Sequence, residues 1–266
     1  MLFQYNAMTA LKNHFPDVTL LITHYNRSSS LERLLKSFRD LKCSFGEIIV
    51  SDDASKPEHQ QAIQKMLETY EFRLVGTPKN KGLANNLNKG QEAVKTPYTL
   101  YVQEDFVPKP TFAELFSEAL LIMKQEADLD IVRFYAYFAY PYLTPYIKHF
   151  SQMNYKPWYS DYNKIYYYSD HPHLRRSTFL NKFGKYVEGI KSDKAEYLMC
   201  LSFIRKKGKG LFLTDYSSMF DQINSSDEPS TVTRNNWRQQ SNNPFISLAR
   251  TVYRQIKYNY DLHLAP

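Results

Sequence analysis

The chain is poor in cysteine and glycine, and it has no apolar run long enough to cross a bilayer. Its only cysteines, Cys43 and Cys200, belong to no CxxC pair or metal-spaced cluster. This excludes a disulfide scaffold, a zinc ribbon and a thiol redox motif, and the expectation is two reduced thiols in a cytoplasmic protein. The apolar stretch from Asp130 to Ile147 is broken by Arg133, Pro141 and Pro145. The opening MLFQYNAMTALKNHFPDV lacks the apolar centre of a signal peptide. With eight glycines in 266 residues, THYNRSSS after the first apolar run contains none, so it offers no Gly-rich phosphate loop. Aromatic residues are abundant instead, with 22 Tyr and 17 Phe. A formal charge of +7 favours anionic partners without choosing among nucleotide, phospholipid and nucleic acid.

Strand-like and helix-like patterns alternate in the first half. Asp17 to Thr23 is a short apolar run, and Leu31, Leu34, Leu35, Phe38 and Leu41 then follow at helical spacing. Gly46 to Asp53 is a second strand ending in two carboxylates, with Ser55 and Glu58 spaced as a capping box for the next helix. Phe72 to Gly76, a helix from about Gly82, and Tyr98 to Val102 running into Gln103-Glu104-Asp105 continue the alternation. Thr111 and Glu114 form a second capping box. Such alternation implies a mostly parallel sheet with right-handed crossovers. Ligands of open parallel sheets bind beyond the carboxyl ends of the strands. Tyr25 and Arg27, Asp52 and Asp53, and Glu104 and Asp105 should therefore meet at one crevice.

The second half is less regular. Eleven tyrosines fall between Tyr135 and Tyr168, together with Trp158, and suggest an aromatic core with some rings left as a platform for sugars. Glu196 to Ile204 reads as helix and Leu211 to Asp215 as strand. The chain turns polar after Phe220. A last helix carries Ala249, Val252, Tyr253, Ile256 and Tyr260 on one face, expected to pack on the domain. The alternative is peripheral contact of its basic side with anionic lipid. The expected division is a domain over 1–218, with halves at 1–125 and 126–218, followed by a polar linker and helix over 219–266.

Four pieces in register, THYNR, EIIVSDDAS, NKGLANNLNKG and YTLYVQEDF, make the chain resemble the family-2 glycosyltransferases of GT-A fold. The resemblance implies an inverting transfer of a sugar from a nucleotide-diphosphate sugar, with a UDP-sugar as the leading donor, to a glycan or lipid-linked acceptor. It places Thr23, Tyr25, Arg27, Asn80 and Gly82 around the nucleotide, and Asp52 and Asp53 on the base. The family's metal-binding acidic motif falls on Gln103-Glu104-Asp105, making Asp105 the ligand of Mn²⁺ or Mg²⁺ and placing Glu104 near the ribose or sugar. DDAS stands where DDGS is commoner, and Glu104 replaces the usual first aspartate.

A hard cation bound by carboxylate and phosphate oxygens suits a diphosphate leaving group. For the base that takes the acceptor proton, Glu196 and Asp193 are the candidates, Glu196 the better placed. His171 in SDHPH is a further candidate metal ligand. A nucleotidyltransferase or a nucleic-acid binder is the competing reading; the crevice's acids argue against nucleic acid.

Overall fold

The computed structural model describes residues 13–224, 228 and 244–263. In chain order the first half runs β1 (His14–His24), α1 (Ser28–Asp40), β2 (Ser44–Asp52), α2 (Pro57–Met66), β3 (Arg73–Val75), α3 (Leu83–Ala93) and β4 (Tyr98–Gln103). It continues with β5 (Phe106–Pro108), α4 (Phe112–Gln125), β6 (Ile131–Arg133), β7 (Leu143–Ile147) and β8 (Phe150–Met153). A 3₁₀ turn (Tyr162–Tyr167), β9 (His173–Arg176), α5 (Phe179–Phe183), α6 (Ser192–Arg205), β10 (Gly210–Leu213), β11 (Phe220–Gln222) and α7 (Pro244–His263) follow.

Nine strands form one sheet in the order β3-β2-β1-β4-β9-β6-β10-β8-β7. β9 and β8 run against the other seven, so the sheet is mostly parallel as the alternation implied. Both faces are covered. Leu20 and Ile22 of β1 meet α1 and α4 through Leu31, Leu34, Phe38, Phe112 and Phe116. Leu21 faces the opposite layer, with Leu87 of α3, Phe179 of α5 and Phe203 of α6. A strand buried on both sides reads as a continuous apolar run, which is why β1 was visible in the sequence. Among the described residues no helix is long and apolar enough to cross a membrane.

The turns at the carboxyl ends of β1 and β2 brace one another. Asn26 donates its backbone N–H to Ser55 Oγ (2.8 Å), and its side-chain oxygen accepts from Lys56 N (2.7 Å). Both turns need a left-handed residue, Asn26 (φ 55°) and Ala54 (φ 55°). Asn tolerates that region, whereas Ala meets its own Cβ there. The family's commoner glycine at position 54 thus has a conformational reason. Ala54→Gly is expected to stabilise the fold by about 0.5–1 kcal/mol, read as a higher urea midpoint at unchanged slope. A lower midpoint would mean that the Ala54 methyl contributes packing worth more than the strain.

Neither expected capping box forms. Ser55 gives its hydroxyl to Asp52, and α2 starts one residue later on Lys56 with Pro57 in its first turn. Thr111 is the N-cap of α4, but its hydroxyl donates to Ser218 O (2.5 Å) rather than capping the helix. α7 reverses the expected orientation. Of its described side chains Tyr258 and Leu262 are buried, while Val252, Tyr253, Ile256 and Tyr260 are exposed; the side chain of Ala249 lies outside those described.

Candidate active site

A crevice of about 1070 Å³ opens at the carboxyl ends of β1, β2 and β4 and reaches across to the start of α6. Thr23, Tyr25, Arg27, Asp53, Asn80 and Gly82 line one side. Glu104 and Asp105 lie on its floor, and His171, Asp193 and Glu196 line the far side. Of the residues expected there, only Asp52 does not line the crevice.

Asp52 is occupied elsewhere. His24 Nδ1 lies 2.7 Å from Asp52 Oδ1, and Ser55 approaches the same carboxylate with its hydroxyl (2.5 Å) and its backbone N–H (3.0 Å). His24 Nε2 accepts from Arg27 N (3.1 Å), which leaves the ring proton on Nδ1, where it donates to Asp52. Burial raises the Asp52 carboxyl, but the bonds from His24 and Ser55 outweigh it and hold the group below its ordinary value. Asp52 therefore braces the turn that presents Arg27.

Asp53 spans into the wall opposite. Its two oxygens accept the backbone N–H groups of Lys81 (2.9 Å) and Gly82 (2.7 Å), just ahead of α3. Gly82 has φ +87° and ψ 168°, a conformation open essentially to glycine alone. Further along α3, a Cβ on Gly90 would sit 2.7 Å from Leu21 Cδ1, so the helix lies directly on β1.

On the floor, Arg27 Nη1 stands 3.2 Å from Asp105 Oδ2 and 3.6 Å from Glu104 Oε1. Burial pushes the Glu104 carboxyl up to about 7, with the neighbouring Asp105 charge adding to the rise and the Arg27 guanidinium opposing it. Asp105 Oδ2 also accepts from Gln222 Nε2 (2.9 Å), while Asp105 Oδ1 is buried without a hydrogen-bond partner. A buried, unpartnered carboxylate oxygen is costly and calls for a donor or a cation. Among the described residues no three His, Cys, Asp or Glu side chains cluster closely enough to enclose a metal. One or two carboxylates completed by substrate phosphates is nonetheless the usual setting of Mg²⁺. The donor set fits that arrangement. His171 is not drawn into such a group. Its Nδ1 lies 3.0 Å from Ser169 Oγ, and its ring stands edge-on to Tyr137 at 4.7 Å and Tyr135 at 5.5 Å.

Across the crevice, Glu196 Oε1 accepts the backbone N–H of Asp170 (2.9 Å) from the second turn of α6. Asp193 is exposed and accepts from its neighbour Lys194 N (2.9 Å). Asp170, the acid of the SDHPH cluster and not itself expected at the site, is buried and accepts from the hydroxyls of Tyr168 and Tyr186, both 2.9 Å from Oδ1. Burial first, then the Glu196 charge, raises its pKa from 3.8 to about 7, against the two tyrosines and Arg175.

A raised acid binds its proton more tightly folded than unfolded, so its contribution to stability is full below about pH 4 and lost as pH rises through about 7. Asn at this position can still accept both tyrosine bonds. The melting temperature of Asp170→Asn is therefore expected to gain on the wild type between pH 5 and pH 8. A difference that stays flat with pH would show that Asp170 titrates outside this window.

Arg133 is a second residue not itself expected at the site. It is buried beside the crevice, donates to Tyr166 O, and keeps an unpartnered Nε. Glu228 accepts the N–H groups of Ser29 (2.9 Å) and Ser30 (2.8 Å) at the start of α1, while its backbone carbonyl accepts from Arg27 (3.1 Å). The rest of the expected polar linker between 225 and 243 lies outside the described residues. Tyr137, Phe138, Tyr140 and Tyr166 line the far rim of the crevice.

Residues 19–184 match the family model described as glycosyl transferase family 2. The poly-beta-1,6-N-acetyl-D-glucosamine synthase of Staphylococcus aureus (strain COL) is 31% identical over 90 residues, which are 34% of this chain and 22% of that protein. The matched stretch is thus about a fifth of that relative's length. Among solved structures, S. aureus TarS 1-349 in complex with UDP-GlcNAc is similar at a TM-score of 0.59 and 14% identity, covering 92% of this chain and 72% of that one. The mannosyltransferase PcManGT of Pyrobaculum calidifontis, in complex with GDP-Man and Mn²⁺, is similar at 0.57 and 15% identity, covering 100% of this chain and 72% of that one.

Proposed function

The chain belongs to glycosyl transferase family 2, and from that premise we propose that its crevice takes a UDP-sugar and passes the sugar to a hydroxyl of a glycan or lipid-linked acceptor. The observation that carries this reading is the division of the crevice. Asp53 and the Glu104–Asp105 floor stand at the strand ends, and Glu196 faces them from α6 with an aromatic rim beside it. Similar proteins bind UDP-GlcNAc and GDP-Man at this fold, which supports a nucleotide-sugar donor.

In this reading Thr23, Tyr25, Arg27, Asn80 and Gly82 surround the nucleotide. Asp53 fixes the wall through Lys81 and Gly82, and each of its oxygens keeps acceptor capacity for the base. Asp105 through Oδ1, assisted by Glu104, would hold Mn²⁺ or Mg²⁺. When bound, that ion offsets the charge growing on the diphosphate as the sugar–phosphate bond breaks. Arg27 adds a fixed positive charge beside the same acids. Glu196 accepts the proton of the acceptor hydroxyl while its oxygen bonds the anomeric carbon from the face opposite the leaving nucleotide, which inverts the centre. Asp170 holds Glu196 in place through its backbone N–H. The unpaired thiols Cys43 and Cys200 fit a cytoplasmic setting for the reaction.

Thermal-shift titration with UDP-, GDP- and dTDP-sugars, with and without Mn²⁺, tests the reading. At a hundredfold excess over Kd the matching donor adds about 2.7 kcal/mol of stability, enough for a clear upward shift. No shift with any donor would overturn it.

A further inference from the structure

We propose that α7 and the loop carrying Trp158 form one docking face for an anionic lipid bilayer. Four large side chains on one side of α7 are left uncovered: Val252, Tyr253, Ile256 and Tyr260, with Ile256 66% exposed. The opposite side, with Tyr258 and Leu262, packs against the domain. Trp158 is the most exposed large hydrophobic side chain described, at 75%.

Its loop is held firmly. The buried Lys164 ammonium donates to the carbonyls on either side of Trp158, those of Pro157 and Tyr159 (the latter at 2.8 Å). Gln255 of α7 donates to Ser160 O (2.6 Å), which ties that loop to the helix. Trp158 is therefore displayed outward from a clamped backbone at a fixed place beside α7.

Charge selects the occupant. Arg250, Arg254 and Lys257 flank the apolar side, and exposed Lys156 lies over the Trp158 ring with Nζ 5.7 Å from its centroid. Asp261, the one acid on the described part of α7, is already paired with Lys257 and the Tyr197 hydroxyl. Tyr and Trp beside apolar and basic residues suit a headgroup boundary. A second copy fits less well, because a two-fold contact through this face would bring its arginines and lysine together. The face also adjoins the crevice. α7 packs on the 3₁₀ turn, and Tyr166 of that turn lines the far rim. A lipid-linked acceptor would thus arrive at the side facing Glu196, a link that rests on the function proposed above.

Sedimentation with vesicles of phosphatidylcholine alone, and of equal parts phosphatidylcholine and phosphatidylglycerol, tests the face. Binding is expected to the anionic vesicles and to weaken with salt. Tyr253→Glu with Ile256→Glu should lower it more than tenfold, since both charges would enter the interface. Replacing Arg250, Arg254 and Lys257 by Gln should cost about fivefold per residue. In a Trp237→Phe background, Trp158 emission should shift to the blue on binding. Binding to neither vesicle would overturn the proposal, as would equal binding to both that the Gln variant leaves unchanged. A dimer that Ile256→Glu dissociates, in a protein that ignores vesicles, would assign the face to a second copy instead. Donor binding measured without vesicles reads the function separately, so the two can fail independently.

Discussion

Glu196→Gln is expected to leave donor binding unchanged and to lower kcat by about a hundred- to ten-thousandfold, the usual contribution of a positioned base. Gln keeps a carbonyl oxygen to accept the N–H of Asp170, so the contact at 2.9 Å survives and only proton acceptance is lost. Asp193→Asn is the matched control. Its carboxylate is exposed and satisfied by the next residue's N–H, so turnover should stay within a few-fold of wild type. Initial rates at saturating donor and acceptor decide between them. If Asp193→Asn were crippled and Glu196→Gln were not, the base would have to be reassigned.

How far the sequence disclosed this site depended on whether each residue's neighbours were local. Strands buried on both faces leave continuous apolar runs, so β1, β2 and β4 were readable, and with them the residues at their ends. The pair Asp52-Asp53 was legible as a pair but not in its division of labour. Two adjacent side chains leave a strand end in different directions, and it took the positions of His24 and of Lys81 and Gly82 to show that Asp52 braces the turn while Asp53 lines the crevice.

β9 escaped for a different reason. Its alternation sets His173 and Arg175 on one side and Leu174 on the other, all three buried. A strand whose inward positions are an imidazole and a guanidinium has no apolar signature. Arg175 is tolerated there because Gln91 Oε1 accepts from its Nε (3.0 Å) and Phe179 lies 5.1 Å beneath the guanidinium. The burial of Asp170 within SDHPH did not show for the same reason, since the groups that satisfy it come from as far along the chain as Tyr186 and Glu196. In α7 the pattern showed an apolar stripe but not what covers it, and packing chose the side carrying Tyr258.

Asp105→Ala is expected to abolish the effect of Mn²⁺ on donor binding and to lower turnover on the order of a thousandfold. Lewis-acid stabilisation is worth several kcal/mol, and each 1.4 kcal/mol is tenfold in rate. Removing this carboxylate has two structural consequences. Gln222 loses an acceptor, and Arg27 is left facing Glu104 alone. Asp105 is one of the charges that lift Glu104, so its loss lets Glu104 ionise at lower pH and pair more strongly with Arg27. The floor should therefore stay folded and the melting temperature without ligand should change little. Glu104→Gln is expected to be the milder variant, because it keeps Asp105 Oδ1, the buried oxygen without a partner. Isothermal titration of donor with and without Mn²⁺ separates the two roles. A metal-dependent affinity that survives Asp105→Ala but not Glu104→Gln would move the metal to Glu104. Survival in both variants would take the cation off this floor altogether.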